Sequence, residues 1–237
     1  MLRQPDDVTC GPTCLHAIYR YYRDEIPLDQ VVQEIPQLEG GGTLAVLLGC
    51  HALKRGYSAT IYTYNLQMFD PTWWAPGPSP LRERLKAQIA FKQGRKKLEV
   101  ATEAYLEFLE LGGLVRFDDL TPALIRKYLQ RETPILTGLS ATYLYRTARE
   151  YGPMDEYDDV RGEPSGHFAV MIGYKDRMVT LADPLLGNPL SSDMHYKVPI
   201  DRIIGSVLLG ILTYDANLLI VRPQHARGSH VDTRGRP

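Results

Sequence analysis

Cysteine is scarce in this chain, which has only Cys10, Cys14 and Cys50 among 237 residues. So small and odd a count excludes a disulfide scaffold and leaves each thiol as a small buried hydrophobe or a reactive group. Charge of one sign is lacking as well. Lys and Arg total 27 against 28 Asp and Glu, a formal net charge of −1, so no global field draws the chain to nucleic acid or to an anionic membrane. Long apolar runs are missing too. The stretch Ile203 to Leu212 falls short of the ~18–20 residues that span a bilayer and is broken by Gly205, Ser206 and Gly210. The opening MLRQPDDVTC has no basic start leading into an apolar segment. No signal peptide is therefore expected, and the expected location is the cytoplasm, where thiols stay reduced. Paired C-x2-C or H-x3-H spacing is absent, which weighs against a metal site built from Cys10, Cys14, His16 and His167. Gly40-Gly41-Gly42 lacks the Lys-Ser/Thr of a phosphate loop. No cofactor or metal is expected.

Ordinary core-forming material is present: 44% of residues are hydrophobic and 23% charged. Leu15, Ile18, Tyr19 and Tyr22 recur at helical spacing, and Pro12 suits a first helical position, so a helix is predicted over 12–24, ended by Pro27. A short helix over 28–35, the glycine hinge, and a helix over 44–55 capped by Thr43 and stopped by Gly56 follow. Alternation predicts a strand over 57–64. Residues 66–79 read as an irregular loop whose Trp73-Trp74 pair is expected to cap a cleft. Residues 80–112 read as charged helix broken at Gly94, with basic and then acidic solvated faces. Beyond it a short strand is expected over 114–117, a helix from Thr121-Pro122 to about 131, and a strand over 134–140. Residues 141–166 read as one long acidic loop. The remainder is β-rich, with strands over 167–174, 178–182, 196–198 and 218–222 and a helix near 200–209. The expectation is an α+β chain. A single domain would span 1–222, with an N-terminal helical lobe, a C-terminal antiparallel β-lobe and a helical insertion at about 66–113. Residues 223–237 would be a disordered tail.

Four residues carry candidate chemistry. Cys10 stands before Gly11-Pro12 at the mouth of the first helix. Unpaired N–H groups and the helix dipole favour an anion there, the form in which sulfur is nucleophilic. Gly11 leaves room for a substrate backbone. His167 opens the apolar strand GHFAVMIGY, and Asp183 ends the next one before Pro184. If these strands form a hairpin about 175–177, His167 and Asp183 meet at its open end, where a carboxylate would hold the imidazole tautomer. Gln4, six residues before Cys10, offers an amide donor for an oxyanion alongside the Cys10 N–H.

The stretch Gln4-Pro-Asp-Asp-Val-Thr-Cys10-Gly11-Pro12 resembles the N-terminal motif of bacteriocin-processing, double-glycine leader peptidases. Gly166-His167-Phe-Ala-Val-Met-Ile-Gly173-Tyr174 and Ala182-Asp183-Pro184 resemble that family's histidine and aspartate motifs. Thr9 stands where the family often has aspartate. The resemblance covers the first ~55 residues and roughly 120–222. It implies a papain-like fold and a cysteine peptidase acting on a peptide or amide. Cys10 would be nucleophile, His167 base, Asp183 orienter and Gln4 oxyanion donor. An acyl or peptidyl transferase using the same acyl-enzyme, and a non-catalytic peptide-binding domain, are the alternatives.

Overall fold

The computed structural model describes residues 1–75 and 80–224. Helix α1 spans Cys10–Tyr21 and so starts two residues earlier than the sequence predicts. Pro12 occupies its third position. A missing N–H costs nothing there, because the first four N–H groups of a helix have no partner within it. It also ends early: Arg23 turns left-handed at φ 61°, and the Asp24 N–H closes onto the Tyr19 carbonyl at 2.9 Å, well before Pro27. Helix α2 is Leu28–Glu34 and α3 is Ala45–Lys54. Thr43 does not cap α3. Its hydroxyl donates to the Pro36 carbonyl at 3.1 Å, stitching the loop before the helix. Gly56, at φ 84°, stops α3 as expected.

The segment read as a helical insertion packs into the core. Helices α4 (Leu81–Phe91) and α5 (Lys96–Glu110) flank Gly94. They expose their charges and bury Leu85, Leu98, Ala101, Tyr105 and Phe108 in the same cluster as α1 and α3. Phe108 packs so closely on Gly49 of α3 that a Cβ there would lie 2.6 Å from its ring. The tryptophans pin this region to the sheet margin. Trp73 and Trp74 pack against Phe69, Trp74 also meets Phe117, and its Nε1–H donates to the Val115 carbonyl at 3.4 Å.

Among the described residues, seven strands form the main sheet: β1 (Tyr57–Thr63), β2 (Leu114–Arg116), β3 (Ile135–Ser140), β6 (Gly166–Lys175), β7 (Met178–Ala182), β8 (His195–Pro199) and β9 (Asn217–Pro223). Their order is β2-β1-β9-β3-β6-β7-β8, and only the β1–β2 pair is parallel. The α+β class therefore stands, but the sheet is not purely C-terminal. β1 pairs along its whole length with the last strand, from Tyr57↔Pro223 to Thr63↔Asn217. Pro223, expected in the tail, ends that strand; residues 225–237 lie outside the described residues.

The segment 141–166 is structured rather than one loop. Helix α7 (Ala141–Tyr145) begins at Ser140, whose Oγ accepts the Tyr143 N–H at 3.3 Å. Strands β4 (Glu150–Tyr151) and β5 (Glu156–Tyr157) make a small ribbon. Elements of two to five residues are too short to show periodicity. Helices α6 (Pro122–Leu129), α7 and α8 (Ile200–Leu209) cover one face of the sheet, and α1 to α5 cover the other. Both faces are therefore buried by helices.

Candidate active site

Cys10 is the first residue of α1, directly after the capping position at Thr9. Its sulfur thus lies at the end of a helix where N–H groups point outward. Two contacts hold that end on β6. The Cys14 thiol donates to the Phe168 carbonyl at 3.2 Å. Gly11 lies so close to the loop and sheet that a Cβ would come within 2.7 Å of Thr43 Cγ2 and 3.2 Å of Phe168. The glycine after the cysteine is therefore required by packing, quite apart from any substrate.

β6 and β7 form the expected hairpin, with Lys175 paired to Met178 and Asp176 and Arg177 both at positive φ in the turn. At its open end His167 Nε2 lies 2.8 Å from Asp183 Oδ1. Asp183 is fully buried and His167 is 7% exposed. With Nε2 committed to the carboxylate, Nδ1 is the ring nitrogen not engaged by Asp183, and Cys10 is among the groups that act on the imidazole. Burial works to push the imidazole down. The Asp183 charge and hydrogen bond outweigh it, joined by Cys10, and lift the histidine to about 10. Burial pushes the Asp183 carboxyl up, but the His167 charge and bond, with donors from Tyr196 and the Leu185 N–H, hold it below its ordinary value. Both directions describe one carboxylate–imidazolium pair.

Two tyrosines complete the carboxylate, and sequence reasoning passed over both. Tyr145 and Tyr196 donate their hydroxyls to Asp183 Oδ2 at 2.8 and 2.6 Å, while Oδ1 also accepts the Leu185 N–H at 2.9 Å. Burial, then the neighbouring carboxylate charge, pushes both phenols well above their usual range. Nothing local marks them among 15 tyrosines. Tyr145 sits in the segment read as loop, and Tyr196 on the strand beside β7.

Gln4 is buried at the same corner. Its backbone N–H donates to the Pro184 carbonyl at 3.0 Å, tethering the N-terminal segment beside Asp183. Its Nε2 spends one N–H on the Asp6 carbonyl at 2.8 Å, and its buried Oε1 has no partner among the described residues.

The other thiols face apolar or backbone surroundings. Burial raises Cys14 far above its ordinary value, and burial with the Glu107 charge pushes Cys50 up to about 12. His16 Nε2 meets the Ile26 carbonyl at 3.1 Å. Among the described residues no group of three metal-ligating side chains converges, and no helix is long and apolar enough to cross a membrane. A cavity of about 740 Å³ bordered by Ala17, Arg20, Tyr21, Glu132, Ile172 and His195 lies elsewhere and includes none of Cys10, His167 or Asp183.

No protein-family model matches the chain, and no curated protein does. Among solved structures it is similar to a C39-like peptidase from Bacillus anthracis, with 14% identity, 95% of each chain covered and a TM-score of 0.49. It is also similar to a double glycine motif protease from an AMS/PCAT transporter in complex with the leader peptide. There the identity is 17%, with 94% of this chain and 91% of that one covered and a TM-score of 0.44. A third is the peptidase domain of Streptococcus ComA, a bifunctional ABC transporter involved in quorum sensing. It shows 13% identity, 94% and 97% coverage and a TM-score of 0.43.

Proposed function

We propose that this chain is a papain-like cysteine peptidase, one catalytic domain over residues 1–222, acting in the cytoplasm on a peptide or amide bond. The observation that carries the reading is the buried Asp183–His167 pair, which supports a relay to Cys10. A buried carboxylate bonds one imidazole nitrogen at 2.8 Å, and the other is left for a sulfur at a helix N-terminus. A histidine held as imidazolium beside a thiol favours a resting thiolate–imidazolium pair. The Cys10 thiolate adds to the carbonyl carbon. The oxyanion is received by the Cys10 N–H and by the second N–H of Gln4 Nε2. His167 gives its proton to the leaving amine as the C–N bond breaks, leaving a thioester. His167 then takes a proton from water, which attacks the thioester; the C–S bond breaks and the Cys10 thiolate is restored beside the imidazolium. Neither metal nor cofactor enters these steps.

The test is alkylation by iodoacetamide near neutral pH, followed by peptide mapping. Cys10 is expected to react first and His167→Ala to slow it. Equal labelling of Cys10, Cys14 and Cys50 would leave a peptide-binding domain as the better account. Transfer in place of hydrolysis differs only in what reaches the thioester. Supplying a peptide donor with a competing amine and weighing the products separates them.

A further inference from the structure

Asp215 takes no part in the relay, yet its carboxyl rests on the sheet floor beside it. Side chains at 166, 168 and 170 of β6 share one face, and Phe168 and Val170 place that face in the core cluster containing Cys10 and α1. Gly138 of β3 pairs with Phe168, and Ser140 with Gly166. A Cβ on Gly138 would lie 2.7 Å from Asp215 Cβ and 2.9 Å from Oδ1. One on Gly166 would lie 2.6 Å from Oδ2 and 2.7 Å from Thr213 Oγ1. The floor is thus cleared of side chains at the two positions the carboxyl occupies, one of them adjacent to His167.

The backbone holds the residue there at some cost. Tyr214 and Ala216, on either side, adopt φ of 73° and 40° without being glycines, a conformation kept only where the surroundings enforce it. Asp215 is 7% exposed. Its one side-chain donor among the described residues is the Thr213 hydroxyl, at 2.7 Å on Oδ2. Two cations act on it from a distance, Lys97 and His167. Lys97 donates to the Thr213 carbonyl at 3.1 Å and lies over the Tyr214 ring, and His167 is engaged by Asp183. No ion pair to Asp215 occurs among the described residues. Burial accordingly raises its carboxyl to about 7. A buried carboxyl without a cation is poorly compensated, and a charged donor in contact with it is the partner that would restore the balance.

We propose that Asp215 is a specificity-determining residue whose carboxylate, over Gly138 and over Gly166 of the strand that carries His167, receives a cationic group of the peptide substrate, a lysine or arginine side chain or a terminal ammonium. This rests on the peptidase reading above. An acidic group in the same place meets like charge and is rejected.

The test uses tripeptidyl chloromethyl ketones matched except for lysine, norleucine or glutamate at each position in turn. The rate of Cys10 alkylation is followed by intact mass and peptide mapping. At one position the lysine reagent is expected to react roughly ten- to a hundredfold faster than the norleucine one, as suits a hydrogen bond to a charged group, and glutamate slowest. In Asp215→Asn that preference is expected to fall to within about twofold. Cys10 alkylation without a lysine preference at any position, or a preference that survives in Asp215→Asn, overturns the proposal and leaves the peptidase reading intact. Failure of every reagent to label Cys10 ahead of Cys14 and Cys50 overturns both. The comparison within the native protein decides even if Asp215→Asn does not fold.

Discussion

Tyr196 donates its hydroxyl to Asp183 at 2.6 Å, on the carboxylate oxygen opposite the one that faces His167. Tyr145 donates to that same oxygen at 2.8 Å. Each hydrogen bond to a charged acceptor is worth about 1.5–3 kcal/mol. Either tyrosine alone still satisfies Oδ2, so Tyr145→Phe and Tyr196→Phe should each cost toward the lower figure. The double variant should cost more than their sum, because the oxygen then loses both donors. Urea unfolding of the four proteins in a double-mutant cycle measures this, and simple additivity would contradict it.

Asp183→Asn should be worse than either tyrosine variant. Four donors converge on the carboxylate: His167, the Leu185 N–H and the two phenols. An amide placed there turns its own NH2 against two of them in either orientation. Breaking a buried pair this way costs about 3–5 kcal/mol. The expected result is a lowered Tm together with loss of Cys10 alkylation by iodoacetamide. Normal alkylation in a stably folded Asp183→Asn protein would remove Asp183 from the relay.

The pair also sets a pH signature. The His167 value in the folded chain lies above its ordinary 6.5, near 10. Its contribution to stability is therefore fully present below about pH 6.5 and is lost as pH rises through about 10. Asp183 is displaced downward from 3.8, so at the acid end the same contribution is present above about pH 3.8 and lost below it. It is one interaction and is counted once. The difference in unfolding free energy between native protein and His167→Ala should hold level from about pH 4 to 6.5 and shrink toward pH 10. A difference that rises up to about pH 6.5 and then stays level to about pH 10 would show a neutral histidine.

Two glycine substitutions should separate packing from backbone strain. Gly11→Ala drives a methyl against Thr43 and Phe168 and should cost about 1–3 kcal/mol by overpacking, moving Cys10 and depressing its reactivity. Gly56→Ala meets nothing within 4 Å but must hold φ 84°, a penalty of about 1–2 kcal/mol. It should leave Cys10 reactivity unchanged. Thermal unfolding and alkylation rates of both variants check the contrast.

Much of this molecule is readable in its sequence. Cys10 at a helix start, and His167 and Asp183 at the open end of one hairpin, follow from glycine and proline positions and strand alternation. His167 and Asp183 lie 2.8 Å apart at that open end, and Cys10 is the first residue of α1. What stayed hidden depends on contacts distant in sequence. Tyr145 and Tyr196 reach Asp183 from two separate elements, and nothing beside them marks that destination. Asp215 looks like a turn residue until Gly138 and Gly166 are seen beneath it. Thr43 looks like a helix cap because its hydroxyl could bond locally, and the Pro36 carbonyl wins it. The 80–112 stretch reads as solvated charged helix because its exposed face dominates its composition, while Leu98, Tyr105 and Phe108 fill the core.

The pairing of β1 with β9 makes the platform under His167 a product of the whole sheet. β9 lies wedged between β1 and β3, and β3 pairs along its length with β6, the strand that carries His167. Closing so long a loop is slow. Completion of this distant pairing, rather than folding of α1 alone, is therefore expected to set when His167 is held in place.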